Sequence, residues 1–90
     1  MQITVDIPTI LRPLTNNQKR LEISAVDVRD AIEQVEQQYP GVKERLVTDD
    51  QVHRYVNIYV NDDDIRFSHG LGTKLTTGDS LTILPAVAGG

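Results

Sequence analysis

The sequence closes on Leu84-Pro85-Ala86-Val87-Ala88-Gly89-Gly90, and its terminal glycine carboxylate is the group whose setting best suits chemistry. Glycine has no Cβ, so a Gly-Gly tail presents only backbone width to a partner's cleft and passes where a bulkier terminus clashes. A carboxylate at neutral pH is a poor electrophile, because its charge repels nucleophiles and its leaving group is bad. Joining it to AMP, with ATP as co-reactant, supplies a good leaving group. A sulfur donor can then displace AMP and leave a thiocarboxylate, –CO–S⁻, which makes the chain a macromolecular group carrier. Extended, residues 86–90 reach roughly 15 Å at about 3.3 Å per residue. That is enough to thread into an adenylating enzyme while the folded part docks outside and raises the effective concentration of the terminus. Terminal glycines also occur as frayed ends, so the rest of the chain has to distinguish a working tail from a leftover one.

The other chemistry-bearing residues form no constellation. His53 and His69 are the two histidines and stand in no metal-ligand spacing, so both read as solvated or capping residues. Asp62-Asp63-Asp64 resembles a fragment of a calcium loop but lacks the downstream Gly and Glu that an EF-hand requires, and it reads as a solvated turn. Ser68, Ser80 and the threonines have no base beside them in any recognisable pattern. No glycine-rich phosphate loop follows a strand. The sequence has no cysteine, which removes disulfides, thiolate metal sites and a cysteine nucleophile. No metal site and no cofactor bound by this chain are expected, and the side chains supply no enzyme: the chain reads as a protein co-substrate.

Ninety residues suit one small domain with a core of roughly twenty apolar side chains and little room for an enclosed active site. Its 39% hydrophobic and 24% charged residues are ordinary for a soluble protein. A net charge of −4 argues against nucleic acid, which wants a basic face. Met1 to Asp6 carries no basic and apolar signal-peptide pattern, and the apolar runs are too short to span a bilayer. A cytoplasmic protein without membrane contact is expected.

The elements that must position the tail follow from periodicity. Ile3, Val5 and Ile7 alternate with polar residues and predict a strand ended by Pro8; Leu21 and Ile23 predict a second. Between them Arg12 to Gln18 reads as a loop or hairpin turn. Asp27 caps a helix whose Val28, Ala31, Ile32, Val35 and Tyr39 form one apolar stripe, stopped by Pro40-Gly41. Val42 to Val47 predicts a helical turn, and Thr48 to Gln51 a polar loop. Val56, Ile58 and Val60 predict a third strand, Ile65 to Phe67 a short fourth, and Leu81 and Ile83 the last, with Leu71 and Leu75 as core plugs in the connection. One sheet face needs a cover and one helix is long enough to supply it. The fold class is therefore α+β, a β-grasp (ubiquitin-like) arrangement with a mixed four- to five-stranded sheet covered by one main helix. The first and last strands should be parallel central neighbours. Residues 1–85 form the domain and 86–90 a flexible Gly-Gly tail. With Leu81 and Ile83 facing the helix, Leu84 faces outward, and Tyr55 and Tyr59 join it as a candidate docking patch beside the tail.

The β-grasp order, the strand Val56-Asn57-Ile58-Tyr59-Val60-Asn61, the Gly78-Asp79 turn and the ending Leu84-Pro85-Ala86-Val87-Ala88-Gly89-Gly90 together resemble the ubiquitin-like sulfur carriers. That group includes the thiamine sulfur carrier and the small subunit of molybdopterin synthase. Ile7-Pro8-Thr9-Ile10-Leu11-Arg12-Pro13, His53 to Asn61, and Ile83 to Gly90 are most similar to the members that feed sulfur into cysteine biosynthesis. Thiamine carriers are shorter between the helix and the third strand, and the molybdopterin type tends to have aromatics where this chain has Ile83-Leu84.

The resemblance implies that Gly90 is adenylated by a ubiquitin-activating-like adenylyltransferase/sulfurtransferase with ATP and Mg2+, then converted to the thiocarboxylate. Val87, Ala88 and Gly89 would be the inserted tail. A pyridoxal-phosphate cysteine synthase, or the large subunit of molybdopterin synthase, would accept the sulfur; in the cysteine route a metalloprotease would release the product. A molybdopterin-type or thiamine carrier, a ubiquitin-like modifier conjugated through Gly90, and a plain interaction module are the alternatives.

Overall fold

A computed structural model describes residues 2–49, 51–53 and 56–85. Five strands form one mixed sheet in the order β2 (Arg20–Ser24), β1 (Gln2–Asp6), β7 (Ser80–Pro85), β5 (Val56–Val60) and β6 (Asp63–Asp64). Strand β1 pairs antiparallel with β2 and parallel with β7, so the first and last strands are central neighbours as expected. Strand β5 pairs antiparallel with β7, and the two-residue β6 closes the edge. Ile3, Val5, Leu21, Ile23, Ile58, Val60, Leu81 and Ile83 are buried on one face, the period-two pattern made physical.

Helix α1 (Val28–Gln38) covers that face with Val28, Ala31, Ile32 and Val35. Asp27 accepts from the Asp30 backbone N–H at 2.8 Å, and Asp30 reaches back to the N–H of Val26 at 3.1 Å, so both sides of the helix start are satisfied. Helix α2 (Val42–Leu46) buries Val42 and Leu46 at the other end of α1. Leu71 and Leu75 are buried in the connection to β7, as their core-plug reading expects. Twenty apolar side chains are buried among the described residues, the core size anticipated for this length.

Three segments differ from expectation. Thr9–Thr15 is a 3-10 helix that turns at Asn16 and Asn17, both with positive φ, rather than a simple loop or hairpin turn. Pro13 sits inside it, because its fixed φ suits the 3-10 conformation even though it donates no backbone hydrogen bond. Ile65–Phe67 is also a 3-10 turn and not a strand. Asp64 accepts from the Arg66 backbone N–H at 2.8 Å, a local bond that competes with ladder pairing and bends the chain out of the sheet; the edge strand is the preceding Asp63–Asp64. The polar stretch after α2 is a small hairpin, β3 (Val47–Thr48) with β4 (Gln51–Val52).

Gly41 begins α2 at φ 106°, a conformation that favours glycine, and no capping side chain of its own serves that helix start. Glu36 of α1 takes the role, accepting from the N–H groups of Gly41 at 3.0 Å and Lys43 at 2.9 Å. The Lys43 N–H first, and the Gly41 N–H second, hold the Glu36 carboxyl below its ordinary value. A folded-state pKa below the unfolded one gives stability that is present above the unfolded-state glutamate value and lost as pH falls through the folded-state value. Glu36→Gln is therefore expected to flatten the acid limb of stability against pH. Thermal midpoints of both chains from about pH 7 to about pH 3 check this; parallel curves would contradict it.

Candidate functional site

The outer face of the sheet carries one continuous cross-strand row, Arg20, Asp6, Thr82, Tyr59 and Asp64, running from β2 to β6. Arg20 Nε donates to Asp6 Oδ1 at 2.8 Å, and the Thr82 hydroxyl donates to Asp6 Oδ2 at 3.4 Å. At the far edge Arg66 forks onto Asp64, with Nη2 2.8 Å from Oδ2, and its Nη2 also donates to Asn57 Oδ1 at 2.8 Å. The Arg66 side chain holds Asp64 below the usual carboxylate range, and Asp64 in turn raises Arg66. One row further along, Leu84 lies opposite Asn57. Leu84 is 46% exposed on a strand whose neighbours Leu81 and Ile83 are almost wholly covered. Leu84 is thus a half-exposed apolar side chain flanked by two fixed polar networks, one residue before the end of β7.

Tyr59 shares this face with Leu84 but opens onto a different concavity. Leu84 lines an open groove of about 560 Å³ with Thr82, Asp6, Pro8, Ile10 and Arg12. Tyr59 lines a second one of about 720 Å³ with Asp62, Asp63, Phe67, Thr73 and Lys74, at the opposite end of the sheet from the tail. Sequence reasoning joined Leu84 and Tyr59 in one patch; the fold places them on one face, in adjoining rows, and gives each its own hollow. Tyr55, Val87, Ala88, Gly89 and Gly90 lie outside the described residues.

Ile10 and Arg12 were not singled out from the sequence. Ile10 is 69% exposed while the adjacent Leu11 is buried. Two consecutive apolar residues in a non-periodic stretch give no signal for which one points outward. The three-residue repeat of a 3-10 helix decides it, turning Leu11 and Leu14 inward and Ile10 outward.

The histidines take the roles expected of them. His53 is structural, its Nε2 lying 3.0 Å from the Glu44 carbonyl and 2.8 Å from the Thr48 hydroxyl, which ties the β3–β4 hairpin to α2. His69 is an exposed loop residue. Among the described residues no group of three or more His, Asp and Glu side chains could hold a metal ion, and no helix is long and apolar enough to cross a membrane.

This geometry has close counterparts. The sulfur carrier protein CysO of Mycobacterium tuberculosis is 53% identical over the full length of both chains. Small archaeal modifier protein 3 of Haloferax volcanii is 35% identical over 70% of this chain and 68% of its own. Among solved structures, the BexX/CysO complex of Amycolatopsis orientalis contains a chain that superposes with a TM-score of 0.93 at 51% identity, covering 98% of this chain and 99% of that one. Residues 5–90 match the ThiS family, a span that runs from the end of β1 through the rest of the fold to the Gly-Gly ending, and the chain belongs to that family.

Proposed function

We propose that this chain is a sulfur carrier that holds sulfide as a thiocarboxylate on Gly90 and delivers it to cysteine biosynthesis. The observation that carries the reading is end-to-end identity with a protein named as a sulfur carrier, at 53%. The fold supports it: the last strand lies at the centre of the sheet, paired with both β1 and β5 as far as Thr82 and with β5 on to Pro85, so it is anchored in the sheet up to the start of the tail. Leu84 and Tyr59, with Tyr55, supply the docking face, and Val87, Ala88 and Gly89 thread into the partner.

The chemistry balances without a side-chain catalyst in this chain. The Gly90 carboxylate oxygen attacks the α-phosphorus of ATP, pyrophosphate leaves, and the acyl-adenylate forms. A sulfide equivalent from a sulfur donor attacks the carbonyl carbon, the C–O bond to AMP breaks, and the thiocarboxylate remains. ATP and Mg2+ belong to a ubiquitin-activating-like adenylyltransferase/sulfurtransferase, and pyridoxal phosphate to the accepting cysteine synthase. The setting is cytoplasmic and the chain is a co-substrate rather than an enzyme.

Intact-mass spectrometry of the protein from its own host is the test. A form about 16 Da heavier, sulfur replacing oxygen at the terminus, is expected. No such form after incubation with the host's adenylating enzyme, ATP and a sulfide source would sink the reading. Similarity to a small archaeal modifier protein favours a second use of the same acyl-adenylate, conjugation to lysines through Gly90. Isopeptide remnants ending in Gly-Gly on other host proteins would reveal it.

A further inference from the structure

Resting on the sulfur-carrier reading, we propose that the groove between Ile10 and Leu84 receives an apolar side chain of the adenylating enzyme, and that Arg12 at its rim binds a carboxylate on the same segment. The groove lies between the 3-10 helix and β7, at the end of the sheet where the chain leaves Pro85 for the tail. An enzyme that takes Gly90 into its centre must pass across this end. The two walls are the exposed Ile10 and the half-exposed Leu84, with buried Pro8 as floor, so an inserted apolar group gains contact on three sides.

The charge at the rim selects the second half of the partner's segment. The groove's anion, Asp6, is already held by Arg20 and the Thr82 hydroxyl. Its cation, Arg12, meets no carboxylate among the described residues. Arg12 Nε is instead held by the Ile7 carbonyl at 3.2 Å, which anchors the guanidinium and leaves its terminal nitrogens for a partner. An anchored guanidinium suits a two-point carboxylate contact, which a lysine ammonium could not match. In a chain of net charge −4, this leaves a local positive edge beside an apolar slot, complementary to an acidic and apolar loop.

The test is ATP–pyrophosphate exchange by the purified adenylating enzyme of the same host, with the carrier as varied substrate. Ile10→Asp and Arg12→Glu should each raise KM for the carrier about tenfold or more with kcat unchanged, because the tail still reacts once bound. Ile10→Leu should behave as wild type. Added salt should raise the wild-type KM and lower that of Arg12→Glu, whose new carboxylate repels the partner's until the charges are screened. Arg29→Glu, on the exposed side of α1 across the sheet from the groove, should leave KM unchanged. Circular dichroism melts verify folding, and Ile10→Ser stands in should Ile10→Asp lose its transition.

Unchanged KM, within about twofold, for both groove variants overturns the proposal. An effect of Ile10→Asp without one of Arg12→Glu overturns the acidic half, as does an equal effect of Arg29→Glu. Exchange with wild type but none of these shifts removes this inference alone. No exchange with wild type removes the carrier reading and this inference with it.

Discussion

Deletion of Gly90 is expected to reduce carrier activation by at least about a hundredfold while leaving the melting transition where it was. The shortened chain still ends in a glycine carboxylate, so the chemistry of the reacting group is unchanged. What changes is its reach, by about 3.3 Å, while the docking face stays put. A displacement of even 1 Å from the productive geometry can lower a rate about a hundredfold. The melting transition is expected to hold because the last described strand, β7, runs to Pro85 and every described core side chain lies upstream of it. Gly89→Val probes the second requirement of the proposal, backbone width: it keeps the length and adds a branched side chain, and activation is expected to fall if the tail threads through a narrow cleft. ATP–pyrophosphate exchange and intact-mass detection of the thiocarboxylate read both variants. Full activation of the truncated chain would mean that docking does not fix the position of the terminus, and the idea of a tail matched in length to the partner's centre would have to be abandoned.

Much of this arrangement was legible in the sequence, because period-two strands and a capped apolar helix leave few ways to bury one sheet face. The Asp27 cap, the Val28-to-Val35 stripe and the Leu71 and Leu75 plugs all appear as their side chains dictate. The outward turn of Leu84 followed from simple alternation with Leu81 and Ile83. Where the sequence was silent, short-range hydrogen bonding decided the outcome. Ile65-Arg66-Phe67 looks like a strand, but the Asp64 carboxylate captures the next turn and leaves Ile65 buried and Phe67 exposed. Ile10 and Arg12 were hidden for a related reason: 3-10 segments are short, and their three-residue period cannot be recognised in one turn. The separation of Leu84 from Tyr59 into two hollows depends on loops from distant parts of the chain, the Thr9–Thr15 helix on one side and the Asp62–Ser68 segment on the other. No local pattern encodes that. The reactive end itself rests on chemical argument and family likeness, since residues 86–90 lie beyond the described ones.

The same strand allows stability and docking to be separated by face. Leu81 is 1% exposed, opposite Val60 of β5 and Val5 of β1, under α1. Leu81→Ala removes three carbons from the centre of the sheet, and such truncations cost about 2–5 kcal/mol because the surroundings collapse only partly into the space. A domain of this size has roughly 5–13 kcal/mol in total, so the loss is a large share of it. Each kcal/mol corresponds to about 4–8 °C in a small domain, which predicts a fall in Tm of at least about 10 °C. Leu84→Ala, three residues on and facing outward, should change Tm by only about 2–4 °C, since exposed substitutions usually stay within about 0.5 kcal/mol. Its effect should appear instead as a raised KM in activation. Calorimetry and exchange kinetics on the two variants give opposite patterns if alternate faces of β7 divide the labour. Equal losses of Tm would mean that Leu84 is part of the packing after all, and that the docking face must lie elsewhere.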